Sequence, residues 1–135
     1  MAYMSQDMKA VITAEMKRIM PQGWKYTLRV EDHTKIVCTI MQAPIDLIGI
    51  ANEINREIAA SRGDEPYQVA GYFDVSLFHL DRYDATAAGE TFRAIDKALR
   101  SAGWYDRSDS TIDYFDIAYF TGLRVGRWNK PFVCA

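Results

Sequence analysis

Apolar residues recur at spacings of three and four from Met4 to Met20, where Met8, Val11, Ile12, Met16 and Ile19 share one helical face. Ser5 suits the cap of that helix, Asp7 its first turn, and Pro21 with Gly23 its end. The period then drops to two. Trp24, Tyr26, Leu28 and Val30 alternate with Lys25, Thr27, Arg29 and Glu31, the pattern of a half-buried strand. A polar turn at Asp32, His33 and Thr34 leads into a second strand over Thr34–Met41, rich in β-branched residues. The two read as a hairpin with an exposed His33 at its tip.

A second helix is predicted over Pro44–Ser61, with Leu47, Ala51, Ile54 and Ile58 buried, Asn52, Asn55, Arg56 and Glu57 mostly outside that stripe, and Gly63 as its stop. Val69–Leu80 alternates again. Val69, Gly71, Phe73, Val75 and Leu77 take one face, while Tyr72, Asp74, Ser76 and Phe78 take the other, as in a strand covered on both sides. His79 near its end reads as a hydrogen-bonded edge residue. A third helix follows over Thr86–Ala102, with Ala88, Phe92, Ile95 and Leu99 inward, Asp84 or Thr86 at its cap and Gly103 at its end. After a loop over Trp104–Ser110, a long last strand is predicted over Asp113–Trp128, with bends at Gly122 or Gly126. The order α-β-β-α-β-α-β predicts an α+β fold, in which three helices pack on about four mostly antiparallel strands.

The chain length of 135 residues fits a single domain spanning 1–135, large enough to fold without staples. The composition is globular, 49% apolar and 25% charged. A net charge of −2 and a pI near 5.6 argue against a strongly basic nucleic-acid binder. Cys38 and Cys134 allow one disulfide but match no metal or redox spacing, so a reduced, cytoplasmic setting is the simpler expectation. No apolar run approaches the roughly 18 residues of a membrane span, and the N-terminus lacks the apolar core of a secretory signal.

The distinctive chemistry lies between Asp106 and Lys130. Asp106, Asp109, Asp113 and Asp116 precede an aromatic stretch that ends in Arg124, Arg127, Trp128 and Lys130. Asp106, Ser108 and Ser110 have the first spacings of a calcium loop, but Thr111 stands where that loop needs glycine and Ile117 where it needs glutamate. Asp and Ser side chains also order tight loops by accepting hydrogen bonds from nearby N–H groups, and that reading makes this stretch a structural clasp. Asp113 and Asp116 lie an odd number apart on the predicted strand and so face opposite sides. Tyr72-Phe73-Asp74-Val75 echoes Tyr114-Phe115-Asp116-Ile117; were the two strands neighbours, Asp74 and Asp116 would meet. The basic end offers phosphate or base contacts, or ion pairs to the Asp106–Asp116 acids. No nucleophile triad or phosphate-cradling glycine loop is present, and no catalytic residue, cofactor or metal is expected.

The runs Trp104-Tyr105-Asp106-Arg107-Ser108-Asp109-Ser110, Asp113-Tyr114-Phe115-Asp116 and Gly126-Arg127-Trp128-Asn129-Lys130-Pro131 resemble the large polyvalent protein associated domain 29 family. The N-terminal helix and following hairpin are also similar, and Trp104 departs from the asparagine more usual there. The resemblance implies a protein of a phage, plasmid or conjugative element, of the kind that travels with incoming DNA and helps it survive in the recipient cell. The function expected is a non-enzymatic accessory protein that binds a protein of the host or the element. Its contact set is Tyr105, Asp106, Ser108, Asp109, Ser110, Asp113, Tyr114, Asp116, Arg124, Arg127, Trp128 and Lys130. The alternative is a nucleic-acid-binding module or hydrolase built on the same acids and basic end.

Overall fold

The computed structural model describes residues 2–135. Helix α1 (Gln6–Ile19) is followed by the hairpin β1 (Lys25–Glu31) and β2 (Lys35–Ala43), then by α2 (Leu47–Arg62) and β3 (Phe73–Val75). A 3-10 segment (Leu77–Tyr83), α3 (Gly89–Leu99), a short 3-10 turn (Ser110–Ile112), β4 (Phe120–Val125) and β5 (Val133–Cys134) complete the chain. Ser5 caps α1, accepting from Met8 N–H at 3.1 Å, and Gly63 ends α2 at φ 71°. The fold is α+β.

The sheet runs β1-β2-β4-β3, with β5 also paired to β2. It has five strands and is mixed. β1/β2 and β3/β4 are antiparallel, whereas β2 runs parallel to both β4 and β5. The parallel pairing arises because α2, β3 and α3 all intervene between β2 and β4, so the chain returns to the same end of the sheet before β4 begins. β2 is the central strand, buried continuously from Ile36 to Ile40.

The register sorts the two faces. Tyr26, Leu28 and Val30 stand beside Ile40, Cys38 and Ile36, and these beside Val125, Leu123 and Thr121. This face joins Ile12 and Met16 of α1, Leu47 and Ile54 of α2, and Phe92, Ile95 and Leu99 of α3 in one core. Tyr119, fully buried, donates its hydroxyl hydrogen to Leu99 C=O at 2.7 Å and so ties the approach to β4 onto the end of α3.

Three expectations are corrected. The strand expected over Val69–Leu80 is paired only at Phe73–Val75. From Leu77 the chain instead forms two short 3-10 pieces that meet at a kink at His79 (φ −128°), and this segment buries Leu80 and Tyr83. Asn52, expected mostly outside the buried stripe, is buried and exchanges hydrogen bonds with the backbone of Val69 at 2.8 and 3.1 Å. The strand expected over Asp113–Trp128 is limited to Phe120–Val125, because residues 113–117 pair with a different part of the chain.

Candidate functional site

Residues 105–118 fold back on themselves as a hairpin. Arg107 N–H donates to Asp116 C=O (2.8 Å) and Ala118 N–H to Tyr105 C=O (3.0 Å). Asp109 and Tyr114 exchange two backbone bonds at 2.6 and 2.9 Å, closing a loop that contains the Ser110–Ile112 turn and ends with Asp113 at φ 53°. At Phe120 the partner changes, and its N–H donates to Thr34 C=O beside β2 (2.8 Å). The aromatic run is therefore two pieces, a hairpin arm and then β4.

The acids secure this bend. Asp106 accepts from Ser108 N–H at 2.9 Å, and Asp109 accepts from Thr111 N–H and its hydroxyl at 3.0 and 2.6 Å. Ser108 Oγ accepts from Asp116 N–H across the hairpin at 2.8 Å. The Ser108 bonds hold the Asp106 carboxyl below its ordinary pKa, and the Thr111 bonds do the same for Asp109, because each favours the charged form. Arg107 lies 3.3 Å from the Asp116 carboxylate and stacks 3.9 Å from the centre of the Tyr105 ring. The Tyr114 hydroxyl lies 3.5 Å from Asp116.

With the polar side chains turned onto their own backbone, the apolar ones face out. Ile112 is 70% exposed, Tyr114 50% and Phe115 74%.

The basic end takes no part in this. Arg124 on β4 reaches Glu31 on β1 and Asp74 on β3, not the Asp106–Asp116 acids. Arg127 donates to the Thr27 hydroxyl at 2.9 Å. Trp128, 79% exposed, sits in a tight turn closed by two backbone bonds between Arg127 and Lys130. Gly126 opens that turn at φ 68°, where a Cβ would lie 2.3 Å from Gly71 C=O.

The two echoed runs are not neighbours. Phe73, Asp74 and Val75 stand opposite Val125, Arg124 and Leu123, so Asp74 meets Arg124 while Asp116 stays in the hairpin. Among the described residues no group of three or more His, Cys, Asp or Glu side chains is arranged to hold a metal ion. His33 and His79 are exposed. Cys38 and Cys134 are free thiols, the first buried and the second exposed.

Two open clefts flank β3. One, of about 540 Å³, lies between α2, the 67–70 segment and His79 to Tyr83. The other, of about 530 Å³, is lined by Phe78, Phe120, Trp104, Arg100 and Lys35 beside the first half of β4. The sequence pointed to neither cleft, and the second is the harder to foresee. Its lining is gathered from five separate segments, and the local signal is Phe78, a large apolar side chain left 96% exposed on a turn that buries Leu80 and Tyr83.

No protein-family model, curated protein or solved structure matches this chain. None of the described helices is long and apolar enough to cross a membrane.

Proposed function

We propose that this chain is a small non-enzymatic accessory protein of a phage or other mobile genetic element, acting in the cytoplasm by binding a protein of the host or of the element. The hairpin over 105–117 is its contact surface. The observation that carries this reading is the division of labour within that hairpin. Asp106, Ser108 and Asp109 hold the backbone, while Ile112, Tyr114 and Phe115 are left exposed. Exposed apolar side chains on a fixed frame lose little freedom on docking, which is the economy of a recognition surface. The mobile-element setting is supported by the resemblance of the runs at 104–110, 113–116 and 126–131, and a role against host defence is the form of accessory action that setting suggests.

The chain, immobilised and exposed to recipient-cell extract, is compared with an Ile112→Ser, Phe115→Ser double variant. A protein retained by the first and lost by the second is the expected result. Equal retention by both removes the hairpin from the reading. Electrophoretic mobility with single- and double-stranded DNA is the companion measurement. A salt-sensitive shift abolished by Arg127→Ala with Lys130→Ala replaces protein binding with nucleic-acid binding.

A further inference from the structure

β1 forms one boundary of the sheet and pairs only with β2. Thr34 and Ile40 carbonyls accept from Phe120 and Gly126 on the β4 side, so even-numbered residues of β2 point their backbone groups toward β4. Odd-numbered ones, Lys35, Val37 and Thr39, therefore point toward β1, where they meet Glu31, Arg29 and Thr27. It follows that Tyr26, Leu28 and Val30 aim their N–H and C=O groups away from the sheet. The register is unbroken from Tyr26 to Glu31, so these groups form a regular row. No hydrogen bond to any of them appears among the described residues outside the sheet pairing. The side chains of the same three residues are only partly buried against the core.

We infer that this row is a homodimer edge, on which β1 of a second copy adds antiparallel about a two-fold axis through Leu28. Symmetry and backbone direction leave few registers. Outward-pointing residues must oppose one another, so an axis through Leu28 pairs Leu28 with its twin and Tyr26 with Val30, using all three residues of the row. The solvent-face residues are then set without further choice. Lys25 opposes Glu31 of the other copy, twice, and Thr27 opposes Arg29, twice. Moving the axis to Thr27 sets Lys25 against Arg29; moving it to Arg29 sets Arg29 against itself. Like charges directly opposite are unfavourable in a sheet and opposite charges favourable. Only the Leu28 register is free of repulsion among the three. Axes through Tyr26 or Val30 also avoid like-charge pairs but oppose only part of the row to itself, so Lys25 and Arg29, which discourage indiscriminate edge pairing, are compatible with one self-pairing that uses the whole row. Two joined sheets would make one continuous sheet with the helices of both copies on the same side. Pairing of two short edge strands falls at the small end of specific interfaces, below about 1,200 Å², where association depends on concentration.

The experiment is sedimentation velocity on the full chain across the micromolar range, with amide hydrogen exchange at high and low protein concentration. The expected result is a mass that doubles with concentration and protection at Tyr26, Leu28 and Val30 that disappears on dilution, while Thr27, Arg29 and Glu31 stay protected throughout. Lys25→Glu and Glu31→Lys each weaken the dimer about tenfold or more, since each creates two like-charge pairs. Mixed with one another, the two variants restore it, because every opposed pair is again opposite in charge. Protection at Thr27 and Arg29 in each variant checks that its hairpin is folded. A chain that stays monomeric with Tyr26, Leu28 and Val30 exchanging freely overturns the inference. So does a dimer that neither charge reversal weakens.

Discussion

Arg124 and Glu31 meet through two parallel hydrogen bonds, at 2.8 and 3.2 Å, although one whole strand, β2, lies between their backbones. Glu31 stands beside Lys35 on β2 and Arg124 beside Thr39, so the pair passes diagonally over Val37. Val37 is only 2% exposed on the face opposite the main core. The same guanidinium lies 3.5 Å from Asp74 on β3 and so links three strands. The polar face of this sheet is closed by long charged side chains, and Arg124 is chiefly a fastening.

Arg124→Ala is expected to lower stability by roughly 1 kcal/mol, the upper range for a partly exposed bidentate pair. Denaturant unfolding at neutral pH measures it. The Arg124 bond holds Glu31 below its ordinary pKa of 4.5. A depressed carboxylate contributes stability that is fully present above the unfolded value and is lost as pH falls through the folded one. Glu31→Gln should therefore be less stable than the parent at neutral pH and match it in strong acid.

The hairpin should loosen in acid for the same reason. Asp106 and Asp109 are both held below their ordinary value of 3.8 by the N–H and hydroxyl groups they accept from. Their contribution is complete above that value and disappears as pH falls through the lowered ones. Amide exchange at Ser108 and Thr111, corrected for its intrinsic pH dependence, is expected to accelerate there before the sheet amides do.

Burial pushes the Cys38 thiol up to about 12, while Cys134 is exposed. A thiol reagent at mildly alkaline pH should modify Cys134 rapidly and Cys38 only after unfolding. Peptide mapping of the modified protein distinguishes the two.

The helices and the β1/β2 hairpin were legible because their apolar positions keep a clean period over whole elements, as Tyr26, Leu28 and Val30 do. Ser5 and Gly63 marked ends by local chemistry alone. Alternation cannot show where a strand changes partner. Residues 113–125 keep a strand-like composition throughout, yet the chain leaves residues 105–109 and joins β2 at Phe120. The expected strand ran on to Leu80, but past Val75 the chain leaves the sheet for a segment kinked at His79, and the alternation carries no sign of that departure. Asn52 is polar on a helix, and only the distant Val69 backbone explains its burial. At the candidate site, the bonds of Asp106 and Asp109 were foreseeable because they reach only two residues along the chain, whereas the bond from Asp116 to Ser108 exists only because the hairpin folds back. The partners of Arg124 were not, since Glu31 is brought to it by the parallel placement of β4 beside β2.

The central claim is that residues 105–118 form a fixed frame carrying an exposed apolar tip, and residue-resolved hydrogen exchange tests it most directly. The account predicts protection at Arg107, Asp109, Tyr114, Asp116 and Ala118, whose N–H groups are bonded across the hairpin, with Ser110 and Phe115 exchanging fast. Ser108→Ala should reduce the protection of Asp116 first. Uniformly fast exchange from Arg107 to Ala118 would contradict it, because a mobile loop could not present Ile112, Tyr114 and Phe115 as a preset surface.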